Sequence, residues 1–279
     1  MSDELAALVA AWRETVERVL DLGCDLEEDD LVRATDLPGW SVQDVLAHLA
    51  AVECDLAGLP GASTVPTRPP RVDGPAVVTD PFTAYTEAGV QARRGRPAGD
   101  VLDELRAAAE ARSALLREDP PTDPTGAPPR TPGRIGWDWR TLLRNRVIDV
   151  WMHEQDVRRA VGRPGGLGGA AAAVTLGAFA SSMPYVVGKR VAPPPGTTVG
   201  LEVHGPVPFS GAVRVGADGR AALVPGSSVP ADADAVLRMS GEAFAVLCGG
   251  RRRPEQVDVE VRGDAELARR VAGAMAVTP

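Results

Sequence analysis

The most constraining feature is a run of 25 residues without Gly or Pro, Trp137 to Val161, rich in good helix formers. Read as a helix, it puts Asp149 and His153 at i and i+4, one above the other on one face. Arg146 and Asp156 extend that stripe by a turn at either end. At about 100° per residue, Arg144 falls roughly half a turn away, with Gln155 and Arg158 on its side, which reads as solvated. The Asp149/His153 stripe therefore borders Val150, Val157 and Val161 and turns toward a core. Charge buried there is costly unless it is paired or bound to a metal.

Upstream, Asp36-Leu37-Pro38-Gly39-Trp40-Ser41 is a turn followed by a capping box, Ser41 with Asp44. The helix that follows has an apolar face of Val42, Val45, Leu46, Leu49, Val52 and Leu56. His48 sits at its edge. Two of the chain's three histidines thus lie beside apolar helix faces. Imidazole and carboxylate are both ligand types for a divalent metal, and facing helices of a bundle can assemble such a site. His48, Asp149 and His153 are the candidate ligands, with Asp44, Asp55 and Asp156 as candidates to orient the imidazoles. The equal alternative is a satisfied core histidine beside an i,i+4 ion pair. Arg146 could steer a substrate carboxylate or pair with Asp149. Cys54 reads as a buried small hydrophobe before it reads as a nucleophile.

Other helices are expected at 3–22, 82–94, 98–118 and 168–183, the last stopped near Pro184. Pro-rich stretches at 57–80 and 119–136 read as long loops. After Val191 a run of three prolines signals a linker. The pattern then changes to alternation at 199–203 and 257–261. Two apolar runs flank Gly216-Ala217-Asp218-Gly219, a hairpin signature. The expected fold class is α plus α+β, with a metal-binding helical bundle at 1–190 and a small α+β domain at 198–279.

A formal charge of −8 argues against a nucleic-acid or anionic-membrane surface. Three cysteines without CxxC spacing imply no disulfide framework, which fits a reducing cytoplasm. No signal peptide is expected at the N-terminus, and no stretch is expected to reach the roughly 18 apolar residues of a membrane span. The Ala, Gly, Pro, Arg and Val bias suggests a GC-rich bacterial genome.

Three stretches carry a resemblance. Leu37-Pro38-Gly39-Trp40-Ser41-Val42-Gln43-Asp44-Val45-Leu46-Ala47-His48-Leu49 resembles the first motif of the mycothiol-dependent maleylpyruvate isomerase family. Asp149-Val150-Trp151-Met152-His153-Glu154-Gln155-Asp156 resembles its second. Met239 to Phe244 and Val261 to Ala268 are similar to its small, sterol-carrier-like C-terminal domain. The resemblance implies a DinB-like four-helix bundle holding zinc or a similar divalent ion on His48, Asp149 and His153. It also implies mycothiol as a thiol cosubstrate and an electrophilic small molecule as substrate, turned over by isomerisation or S-transfer. The better-known isomerase carries Glu at the acid position. Asp149 is one methylene shorter, so an ion must sit nearer this helix or be reached through water. A monomer or dimer is expected. The competing expectation is a metal-silent small-molecule binder using the C-terminal domain.

Overall fold

The structure is a computed structural model and describes residues 1–60, 81–226 and 228–278. It divides into two compact units, Met1–Gly165 and Gly166–Pro279. The first is helical. Helix α1 (Asp3–Cys24) is capped by Ser2, and a short α2 (Glu28–Leu31) follows within the expected connection. Helix α3 (Val42–Ala57) starts on the capping box expected from Ser41 and Asp44, and Gly58 ends it in the left-handed region. Then come α4 (Pro81–Gln91), α5 (Ala98–Glu118) and α6 (Trp139–Val161). Asp138 caps α6, and Gly162, also left-handed, terminates it. Of the loop expected at 57–80, Ala57 and Gly58 end and cap α3, and residues 61–80 lie outside the described residues.

Helices α1, α3, α5 and α6 form the four-helix bundle, with α3 against α5 and α1 against α6 as its largest contacts. Trp12, Val16, Leu49, Leu105, Val147 and Trp151 are buried in its core. Two apolar clusters set the register of α3 on α6. Val42 and Val45 gather with Val157 and Val161. Val52 and Leu56 gather with Leu142 and Tyr85. The start of α3 thus meets the end of α6, so the helices run antiparallel. His48, between the two clusters on α3, comes opposite Asp149 and His153 on α6. Burying side chains of this size is worth about 1.5–3 kcal/mol each, so sliding this register would expose several at once.

The second unit begins earlier than the proline run at 193–195. Helix α7 (Gly169–Ser181) packs on α9 (Gly241–Cys248), and the short α8 (Met183–Tyr185) packs on the sheet. Pro184 opens a new turn at α8 instead of stopping the helical path, which runs on as a π-helical turn, Val186–Val191. The proline run is a tight entry to the sheet, with Gly196 N–H donating to Val215 O at 2.8 Å.

By length and composition, Gly169–Val191 is apolar enough to cross a membrane. The sequence suggests no such stretch, because Ser181, Ser182 and Pro184 interrupt the apolar run. Its large residues Leu176, Phe179, Met183, Val186 and Val187 are buried in the second unit.

The sheet holds β1 (Thr198–His204), β2 (Phe209–Val215), β3 (Ala221–Leu223), β4 (Ala235–Ser240) and β5 (Glu260–Gly263) in the order β3-β2-β1-β4-β5. Strands β2 and β3 form the hairpin read from the sequence. β1 and β4 pair in parallel, and the other pairs are antiparallel. β5 covers only the last part of the alternating run at 257–261. Pro254–Gln256 form a 3₁₀ turn just before it. Asp264 then caps α10 (Ala265–Gly273).

Gly263 is the tightest backbone position of this unit. It has φ +83°, and an added Cβ would lie 2.2 Å from the Asp234 carbonyl oxygen. Gly263→Ala therefore meets both left-handed strain and a backbone clash, costing about 2 kcal/mol or more. Denaturant unfolding that shows no loss of stability in this variant would contradict the pairing of Gly263 with Ala235 in the β4–β5 register.

Candidate metal centre

Three side chains converge between α3 and α6. His48 Nε2 lies 3.5 Å from Asp149 Oδ1 and 3.4 Å from Oδ2. His153 Nε2 lies 3.5 Å from the same Oδ1. One donor atom from each of the three falls within 4.8 Å of the others. Tetrahedral coordination with bonds of about 2.1 Å separates neighbouring donors by roughly 3.4 Å. The carboxylate–imidazole spacings match that value, so the donor set fits an ion of the zinc type in size and chemistry.

The surroundings orient the donors. His153 Nδ1 is 3.1 Å from Oδ2 of Asp156. With its proton on Nδ1, the imidazole donates to Asp156 and turns the Nε2 lone pair toward Asp149. Asp156 is fully buried and also accepts from Arg159 Nη2 at 2.5 Å; Arg159 Nε in turn reaches Asp36 at 2.7 Å. His48 is buried, and its Nδ1 has no hydrogen-bond partner among the described residues. The Trp40 ring covers both imidazoles, at 5.2 Å from His48 and 6.2 Å from His153 between centroids. The Asp149 side chain keeps 30% exposure, against 5% for His48 and 7% for His153, so the cluster's open edge is at the carboxylate.

Of the three orienting acids expected from the sequence, only Asp156 reaches an imidazole in the described hydrogen bonds. Asp44 closes its own helix cap with Ser41 and pairs with Arg94, at 2.9 Å. Asp55, two turns beyond His48, accepts from the Tyr85 hydroxyl at 2.7 Å. Gln155, placed on the solvated side by the sequence reading, is buried, its amide donating to Gly165 O. Cys54 is buried with its thiol on Glu104, and burial followed by that carboxylate pushes its pKa up to about 11. A nucleophilic thiolate is disfavoured there.

Arg146 takes the pairing alternative. Its Nη1 donates to Asp149 Oδ2 at 2.7 Å, while Nε and Nη2 donate to Glu53 Oε1 at 3.1 and 2.8 Å. Glu53 is fully buried and also accepts from Arg112 at 2.7 Å and the Trp12 indole at 2.9 Å. The sequence reading passed over Glu53. Its signal was position: it lies four residues after Leu49 and three before Leu56, on the apolar face of α3.

These charges set the proton affinities. Burial disfavours the Asp149 carboxylate, but Arg146, His48 and His153 outweigh it and hold its pKa well below the usual range. Burial keeps His48 below its ordinary value despite Asp149. Burial also opposes protonation of His153, but Asp149 and Asp156 overcome it, and its pKa is raised.

Comparison with known proteins extends this picture. Residues 12–158 match the mycothiol maleylpyruvate isomerase N-terminal domain, and residues 171–270 match the C-terminal domain of the same family. A crystal structure of the mycothiol-dependent maleylpyruvate isomerase is similar at 15% identity and TM-score 0.55, over 95% of this chain and 98% of that chain. A histidine-to-alanine mutant of that enzyme is similar at 15% identity and TM-score 0.53, over 93% and 96%. At such identity the likeness speaks for the fold. No curated protein sequence matches the chain.

A raised pKa in the folded state means that protonated His153 stabilises the metal-free protein fully below its unfolded value of 6.5. That contribution is lost as pH rises through the folded value. In Asp156→Asn, the His153 pKa should fall, read by an NMR titration of the imidazoles in metal-free protein. An unshifted value would show that Asp156 does not act on this ring.

Proposed function

The chain belongs to the mycothiol maleylpyruvate isomerase family, and on that premise we propose that it is a metal-dependent, mycothiol-dependent isomerase or S-transferase. Its substrate would be an electrophilic small molecule. The single observation that carries the metal reading is the spacing of Asp149 from the two Nε2 atoms, 3.4–3.5 Å. His48 and His153 would supply Nε2, and Asp149 a carboxylate oxygen. A divalent ion held there, most simply zinc, would supply a Lewis acid that lowers the pKa of a coordinated thiol into the neutral range.

The chain's own residues account for the rest. Asp156 accepts the Nδ1 proton of His153 and so leaves Nε2 free to act as a donor atom. Arg146 keeps Asp149 ionised at neutral pH, so no proton has to leave the carboxylate before it can act as a ligand. Trp40 walls the imidazoles and excludes water from that side. Approach is left to the exposed edge of Asp149, where a thiol cosubstrate and an electron-poor carbon would meet. Addition of the thiolate sulfur to that carbon of a conjugated C=C bond breaks the π bond, moves its electron pair onto the conjugated acceptor group and leaves a single bond free to rotate. Return of that electron pair re-forms the double bond, expels the thiolate and gives isomerisation; protonation of the adduct by solvent, with the C–S bond kept, gives S-transfer. In this scheme Arg146 acts as a positioning residue rather than as a contact to substrate.

Metal analysis of untagged protein tests the reading. The wild type is expected to hold about one zinc per chain. His153→Ala should lose the metal and the thiol chemistry while keeping the fold, because the bundle core is built from Val, Leu and Trp side chains. Asp149→Ala should weaken binding about tenfold or more, and Asp149→Glu should retain metal with altered affinity. The same metal content in all three variants as in the wild type would overturn the site. Absence of metal from wild-type protein, even after zinc addition, would favour a small-molecule binder instead.

A further inference from the structure

We infer that Glu53 is a positioning residue for this cluster: through Arg146 it fixes the Asp149 carboxylate so that Oδ1 stays between the two imidazole Nε2 atoms. The inference rests on the metal-site reading above and deepens it. Glu53 Oε1 accepts from both Nε and Nη2 of Arg146, at 3.1 and 2.8 Å. A guanidinium is a rigid plane. Anchoring two of its nitrogens on one oxygen therefore fixes the direction of the third, Nη1, which donates to Asp149 Oδ2 at 2.7 Å. Oδ2 is thereby held, 3.4 Å from His48 Nε2, and Oδ1 is left 3.5 Å from Nε2 of both His48 and His153.

Glu53 is itself held from other helices. Arg112 of α5 donates to Oε2 at 2.7 Å, and Trp12 of α1 donates to Oε1 at 2.9 Å. The Arg112 guanidinium lies 4.5 Å over the Trp12 ring. Glu53, Arg112 and Arg146 are all nearly or fully buried. Two carboxylates and two guanidiniums make the group neutral overall, which lets it sit in the bundle. Taken alone, Arg146 is a long side chain with many rotamers, and Asp149 a short one with two rotatable bonds. Glu53 removes that freedom in advance of any ligand, in the manner of outer partners that orient metal ligands.

The test measures metal affinity and coordination, without activity. Metal-free wild type, Glu53→Gln, Arg112→Met and the double variant Glu53→Gln/Arg112→Met are titrated with zinc against a chromophoric chelator. Cobalt(II) spectra are recorded on the same proteins. Glu53→Gln is expected to weaken zinc binding about tenfold or more and to shift the cobalt bands. Arg112→Met touches the same carboxylate from the far side; it should lower Tm yet leave the Kd within about threefold of wild type. Should Glu53→Gln fail to fold, with two guanidiniums left facing each other, the double variant answers, since it removes one charge of each sign. It should show the same loss of affinity.

A folded double variant with wild-type Kd and cobalt spectrum would overturn the inference. So would an Arg112→Met protein that loses as much affinity as Glu53→Gln, because that is what a purely structural role predicts. Wild-type protein that takes up neither zinc nor cobalt would bring down the metal-site reading and this inference with it. A tight wild type with unchanged Glu53 variants would bring down the inference alone.

Discussion

Asp149 carries one negative charge and meets a guanidinium at 2.7 Å and two imidazoles at 3.4–3.5 Å. The free energy of that arrangement governs the rest of the first unit. A carboxylate taken out of water is expensive, and attraction to its partners repays the cost only when every remaining polar atom is satisfied. The bundle meets that condition by chaining charges. Asp149 is answered by Arg146, Arg146 by Glu53, and Glu53 by Arg112 and Trp12. His153 is answered by Asp156, and Asp156 by Arg159. Within these chains the exceptions are His48 Nδ1 and Arg112 Nη2, both buried without a hydrogen-bond partner among the described residues.

Such chains are a poor way to stabilise a bundle. Apolar residues of the same volume would often do as well or better, while removing a single member leaves an uncompensated buried charge worth about 3–5 kcal/mol. Two further clusters follow the same pattern. Glu154, fully buried, is flanked by Arg18 and Arg158. Glu104 takes Arg93 and Arg96. Among the described residues, neither surrounds a group of convergent donor atoms. The cluster at Asp149 differs because it also brings one donor atom from each of three side chains within 4.8 Å of one another. That convergence is the geometry on which the proposed metal site rests.

Much of this was legible in the sequence, and the parts that were not share a physical cause. Helix α6 could be read because no Gly or Pro interrupts it, and α3 because Ser41 and Asp44 form a local signal within four residues. The hairpin could be read from its own turn. His48, Asp149 and His153 could be named because polar residues on apolar faces are conspicuous when histidines are few. Glu53 lies on the same face, but a lone Glu in a helix is common, and its partners are 41, 59 and 93 residues away. The destinations of Asp44 and Asp55 were misread for the same reason: Arg94 and Tyr85, which draw them from His48, are distant in sequence. The division between the units was hidden because a proline run marks a stiff segment, whether or not domains part there. The packing of α7 against α9 is a long-range fact that no local pattern announces.

The shorter acid at position 149 is then understandable in terms of its neighbours. Arg146 sits one turn before Asp149 on the same helix and reaches the carboxylate from that side. A longer acid at this position would carry its oxygens away from Arg146 and further toward α3, where His48 already lies within 3.5 Å of the carboxylate. With Asp, Oδ2 stays within reach of both the guanidinium and His48, while Oδ1 lies 3.5 Å from both imidazole Nε2 atoms. The compact arrangement also keeps the exposed edge of the cluster on the carboxylate and the two histidines behind the Trp40 ring. A ligand can therefore approach from only part of the space around the donors, and the residue that defines that approach is also the one whose charge the buried network is built to hold.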